Sequence, residues 1–153
     1  MNLPTVFLDL DGVLHPSNYL GFNTINGELV LGSDDRFCWA ECLWTLIRDF
    51  DCQLVIHSSW RNSYTLDQLR CLLPTELGKR VVAVTAGDCR HESILAYVDE
   101  AKVKNYVILD DAADEFPSDC VELLLCKDNM GVSSPEIQEK LTLFLKEFCH
   151  HAI

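Results

Sequence analysis

The stretch 6–16, VFLDLDGVLHP, constrains this chain more than any other. Val6, Phe7, Leu8 and Leu10 make a short apolar run bounded by turn chemistry, the pattern of a central strand in a parallel sheet. Asp9 and Asp11 break that run at its exit. Side chains two apart on an extended strand point the same way, so both carboxylates are expected to face one spot at the strand's carboxyl end, where Gly12 lets the chain turn. Open α/β sheets bind ligands at that edge. Two adjacent carboxylates repel, so either one keeps its proton to higher pH or a cation sits between them, and both outcomes suit acid–base or metal chemistry.

The rest of the chain alternates strands with helices. Asn26-Gly27 between residues 22–25 and 28–31 signals a hairpin, expected as a small flap over the strand end. Ser33 or Asp34 is placed to cap a helix running to about residue 50, with Phe37, Cys38, Cys42, Leu43, Leu46, Ile47 and Phe50 at helical spacing. Residues 53–56 read as a second strand ending in HSSWR, where Ser58 or Ser59 can donate to an anion beside the N–H groups of the turn. A helix is expected over 65 to about 77 and a strand over 80–85. The next helix, beginning near Asp88, is expected to carry Ile94, Leu95 and Val98 inward, with Arg90 and His91 in its first turn. A fourth strand over 105–109 also ends in acids, Asp110 and Asp111, with Asp114 shortly after. Residues 120–126 read as a fifth strand. Ser133 or Ser134 then caps a last helix with Pro135 at its first position and Ile137, Leu141, Phe144, Leu145 and Phe148 on one face. This order predicts an α/β three-layer sandwich around a five-stranded parallel, Rossmann-like sheet, as a single domain over 1–153.

Composition narrows the partners. With 48% hydrophobic and 24% charged residues the chain suits a globular fold, and no apolar run reaches a spanning length, so no membrane partner is expected. The opening MNLPT lacks the basic and apolar regions of a secretory leader, which points to a cytoplasmic protein. The eight cysteines form no CxxC pair and fall mostly inside apolar patterns, so they read as buried free thiols. The ending Cys149-His150-His151 reads as a frayed terminus. A formal net charge of -12 repels phosphate backbones, so an extended nucleic-acid tract is not expected as a partner, whereas clustered acids attract divalent cations.

Two acidic strand ends, a hydroxyl strand end and an arginine at a helix start together resemble the haloacid dehalogenase-like (HAD) superfamily. Residues 6–13, VFLDLDGV, match its first motif, hhhDxDx[TV]. Ser58, with Ser59 as its neighbour, fits the second. Arg90 fits the third, with Lys102 and Lys104 as competitors, and Asp110, Asp111 and Asp114 fit the fourth. More narrowly, SSWR followed by RHESILAYV, YVILDD and DNMGVSSPEI resembles the small HAD domain of bacterial RNA-repair-associated proteins.

The resemblance implies a magnesium-dependent phosphohydrolase in which Asp9 attacks phosphorus to give an aspartyl-phosphate and Asp11 serves as acid and base. It further implies Mg2+ held by Asp9, the Asp11 backbone carbonyl, Asp110 and Asp111 or Asp114, with phosphate held by Ser58, Ser59 and Arg90. The segments between motifs leave no room for a cap, so the implied site is open and suits a nucleotide or polynucleotide phosphate end. Trp60 and Arg61 are candidates for its substrate rim. His15 and His57 read as ordinary turn and core histidines. A catalytically weak binding or regulatory module is the alternative class.

Overall fold

The computed structural model describes residues 2–17, 22–25, 28–31 and 36–150. Thr5–Leu8 (β1) lies at the centre of a five-stranded sheet. It pairs in parallel with Gln53–Ile56 (β4) on one side and Tyr106–Asp110 (β6) on the other. Val81–Val84 (β5) adds to β4 and Leu123–Leu125 (β7) to β6, again in parallel, giving the order β5-β4-β1-β6-β7. Phe22–Ile25 (β2) and Glu28–Leu31 (β3) pair antiparallel as a separate hairpin. Its Asn26-Gly27 turn and the Ser33 or Asp34 cap lie outside the described residues.

Strand alternation gives the sheet two apolar faces. Val6 and Leu8 of β1, with Leu54, Ile56, Val107 and Leu109, join the larger core. Ala40–Ile47 (α1) buries Ala40, Leu43 and Ile47 there, and Pro135–Phe148 (α5) buries Ile137, Leu141 and Leu145. The opposite face carries Phe7, Val55 and Ile108 under Ile94 of Arg90–Ala101 (α4), with Phe116 beside them. Two covered faces explain why the strands read as continuous apolar runs rather than as half-polar alternation.

Several boundaries differ from expectation for local reasons. The helix expected over 65–77 is two, Leu66–Leu72 (α2) and Thr75–Arg80 (α3), because Pro74 has no N–H to donate and forces the preceding Leu73 into an extended conformation. A capping box between Thr65 and Gln68 starts α2. The first helix spans Ala40–Ile47 only, and Phe50 is buried beyond its end. Leu95 is 42% exposed rather than inward, since Ser93 and Ile94 take the buried positions of that turn. Phe148, at the end of α5, is 39% exposed. The last strand is the short Leu123–Leu125, and the thiols of Cys38 and Cys71 are exposed while those of Cys52 and Cys126 are buried. The chain after α5 is not frayed at 150: the Asp51 N–H donates to the His150 carbonyl. Among the described residues no helix is long and apolar enough to cross a membrane.

Candidate active site at the carboxyl edge of the sheet

The chain adds β4 and β5 on one side of β1 and then crosses to add β6 on the other, so the switch point at which open α/β sheets bind ligands falls between the carboxyl ends of β1 and β6. Alternation decides what faces it. Asp9 continues the parity of Phe7, His57 that of Val55, and Asp110 that of Ile108, so all three side chains leave the sheet on the α4 side. Arg90, the first residue of α4, reaches over them.

The resulting cluster is dense. Arg90 Nη1 donates to Asp9 Oδ2 at 3.0 Å and to Asp110 Oδ1 and Oδ2 at 3.0 and 2.9 Å. Asp9 Oδ1 accepts the Leu10 N–H at 2.9 Å, and Asp110 Oδ1 accepts the Ala112 N–H at 2.8 Å. Asp9 is 1% exposed and Asp110 fully buried. Burial pushes the Asp9 carboxyl well above the ordinary range and the charge of Asp110 adds to this, against the pull of Arg90. Burial alone would raise Asp110 too, but the hydrogen bond from His57, the charge of Arg90 and the Ala112 N–H bring it below the usual range. Arg90 is itself half buried, yet the two flanking carboxylates hold its proton more tightly than usual. Asp111 is raised by burial and by Asp110.

The carboxylates of Asp9, Asp110 and Asp111 each offer an oxygen within 4.8 Å of the others. Three oxygen donors of like charge at that spacing suit a hard divalent cation, and the residues therefore fit the metal that the sequence reading calls for. Gly12 belongs to this geometry. Its φ of 76° is left-handed, and a Cβ there would stand 2.1 Å from Asp111 Oδ2.

The structure redirects several expectations. The Asp11 carboxylate lies outside the group of three: its Oδ1 meets His15 Nε2 at 2.7 Å, and the Trp60 indole N–H donates to both oxygens at 3.2 and 3.1 Å. The chain curls at Gly12, so the two-residue parity that joins Asp9 to Phe7 does not extend to Asp11. Trp60 is accordingly no exposed stacking platform; it is buried against His15 and Phe37. Arg61 donates to the carbonyls of His57 and Gly87, which clips the turn after β4 to the segment before α4. Ser58 is buried at the end of β4 and accepts the Trp60 N–H, leaving its own O–H to donate, whereas Ser59 is exposed. Lys102 pairs with Asp99 at the far end of α4, and Lys104 precedes β6 at the opposite edge. Arg90 is the one of the three basic candidates that touches the acids. Asp114 stands exposed on a short 3-10 turn.

Two histidines take roles that residue-by-residue reading missed. His57 is fully buried and its Nε2 lies 2.7 Å from Asp110 Oδ2. Burial lowers its pKa, so the neutral ring donates Nε2–H to Asp110 while its Nδ1 stays unpartnered. The available signal was parity, because His57 sits two residues after inward Val55. His15 pairs with Asp11 across a tight turn closed by the Gly12 N–H to the His15 carbonyl at 2.8 Å.

A family model described as the HAD domain in Swiss Army Knife RNA repair proteins matches residues 5–137. The chain belongs to this family. No curated protein and no solved structure matches it. The match runs from β1 into the first turn of α5 and so takes in every element that frames the HAD site. Between β1 and β4 this HAD domain has the hairpin and α1, and between β4 and β5 it has α2 and α3. Among the described residues no cap domain covers the carboxyl edge.

Proposed function

We propose that this HAD domain is a magnesium-dependent phosphohydrolase that acts on phosphomonoesters through an aspartyl-phosphate intermediate. The observation that carries the reading is the meeting of Asp9, Asp110 and Asp111 under Arg90 at the switch point of the sheet. Asp9, Asp110 and Asp111 would hold Mg2+, with the Asp11 backbone carbonyl as the further ligand the family implies. When bound, the ion supplies the positive charge that lets an anionic nucleophile approach an anionic ester.

The chain's own residues do the rest. Asp9 presents a carboxylate oxygen to phosphorus and carries the phosphoryl group. Its second oxygen is fixed by the Leu10 N–H, so the nucleophile is oriented before substrate arrives. Arg90 and the Ser58 hydroxyl bind the non-bridging oxygens, where negative charge is spread in phosphoryl transfer. Asp11 gives a proton to the departing oxygen and takes one from the water that releases phosphate. The open edge suits a phosphate at the end of a nucleotide or polynucleotide, since nothing described encloses a small molecule. The net charge of -12 favours a terminal phosphate over a long backbone track. The family's description, which names RNA repair, supports the same substrate class.

A second reading has its own observation. Arg90 lies 3.0 Å from the nucleophilic Asp9 oxygen, and a guanidinium held there would keep a domain used only for binding silent. Turnover of a chromogenic phosphomonoester with and without Mg2+ separates the two. The wild type is expected to turn over only with the metal, and Asp9→Asn, which keeps size and most hydrogen bonding, is expected to abolish turnover. Full activity in Asp9→Asn would overturn the aspartyl-phosphate mechanism, and a wild type inactive on nucleotide and oligonucleotide-end phosphates alike would favour the binding module.

A further inference from the structure

We infer that His15 and Trp60 are positioning residues that draw the Asp11 carboxyl away from the metal-binding acids and hold it ready for proton transfer to the leaving group; this rests on the hydrolase reading above. A carboxylate two residues from Asp9, at an edge where three others gather, would otherwise be free to join them as a ligand. Ligation would end its use as an acid. Instead its oxygens are taken by His15 Nε2 at 2.7 Å and by the Trp60 indole N–H at 3.1 and 3.2 Å.

The direction of the His15 bond is set from behind the ring. The Phe37 N–H donates to His15 Nδ1 at 3.3 Å, so Nδ1 carries no proton and Nε2 must carry it, which makes His15 a donor to Asp11. Phe37 adopts a left-handed φ of 58° while doing so, a conformation a β-carbon residue enters only when its surroundings over-determine it. The rings of His15, Phe37 and Trp60 pack on one another with centroids 5.3 to 5.7 Å apart, and His15 is fully buried. Trp60 is fixed in turn by its backbone N–H on Ser58 Oγ at 3.2 Å. The turn after β4 thus carries both the Ser58 hydroxyl and the indole that holds Asp11.

An Asp9 oxygen forms a bond to phosphorus as the bond from phosphorus to the ester oxygen breaks, and that oxygen takes the electron pair and the Asp11 proton. Water then adds to phosphorus and returns a proton to Asp11 while the bond to Asp9 breaks. An ester with a good leaving group, such as an aryl phosphate, needs little protonation; an alkyl phosphate needs much.

The test compares kcat/KM of the full chain with Mg2+ on an aryl and an alkyl phosphate in the wild type, His15→Leu, His15→Gln and Trp60→Phe. His15→Leu and Trp60→Phe are expected to shift the aryl-to-alkyl ratio by about tenfold or more against the alkyl ester, the lower range of what a general acid contributes. His15→Gln, whose amide N–H takes the place of Nε2–H, is expected to restore the ratio. Equal proportional losses on both esters, or no rescue by glutamine, would overturn the positioning role while leaving the hydrolase reading standing. A wild type inactive on both esters would overturn that reading and the proton-transfer role with it. Nitrogen NMR of the metal-free wild type gives a readout free of turnover and of folding losses in the variants: His15 should carry its proton on Nε2, and a proton on Nδ1 would overturn the inference.

Discussion

At the scale of single residues, Asp9 shows how a group that the proposed chemistry requires can weigh against the fold. Its carboxyl is buried beside Asp110 and titrates well above the ordinary range, so its contribution to stability is fully present below the unfolded value of about 4 and is lost as pH rises through the folded value. Asp110 has the opposite sign. Its folded value is depressed by His57 and Arg90, so its contribution is present above the unfolded value and lost as pH falls through the folded one. Asp9→Asn is therefore expected to melt like the wild type below pH 4 and, without metal, to be the more stable of the two at pH 7, where the wild type must bury a charged carboxylate. Thermal melts in chelator at the two pH values check this. A neutral-pH loss in Asp9→Asn would show that the Arg90 pair outweighs the cost of burying the charge.

At the scale of elements, the break at Pro74 turns one expected helix into two that pack on each other and against β5. Gly78 permits that packing. A Cβ there would stand 2.2 Å from the Arg70 carbonyl oxygen, and the Gly78 carbonyl accepts from Arg70 Nε at 3.3 Å. Helix propensity alone favours alanine over glycine by about 1 kcal/mol, but forcing an atom into a packed backbone contact costs about 1–3 kcal/mol. The clash should win because its partner is backbone and cannot swing aside. Gly78→Ala is expected to lower the melting temperature by about 2–4 °C per kcal/mol lost, as measured by circular dichroism; an increase would mean that α2 and α3 slide apart freely.

At the scale of the whole molecule, a net charge of -12 means that any cation relieves self-repulsion, so stabilisation by magnesium needs a control for charge. Asp110→Ala and Asp114→Ala each remove one negative charge, and only Asp110 belongs to the group of three acids. A specific ion at about a hundred times its dissociation constant stabilises by about 2.7 kcal/mol, whereas general screening acts on both variants alike. Asp114→Ala is expected to keep the magnesium-dependent rise in melting temperature and Asp110→Ala to lose most of it, with calorimetric titration giving the affinities. Equal losses would assign the effect to screening, and a larger loss at Asp114 would reverse the ligand assignment.

The parallel sheet with covered faces was legible in the chain because apolar runs, turn residues and strand parity are local properties, and the same parity put Asp9 and Asp110 at the ligand-binding edge. Arg90 was legible through its place in the first turn of α4. Tertiary structure alone decided which partner each acid takes. Asp11 left the group because the curl at Gly12 turned it toward His15, four residues along the chain, and Trp60, 49 residues away. Asp111 took its place because Gly12 offers no Cβ to keep it out. His57 became the support of Asp110 across the full width of β1, a neighbour relation set by strand order rather than by spacing along the chain. Local sequence determines which way a side chain leaves its strand; what it meets there depends on which strands the fold sets side by side.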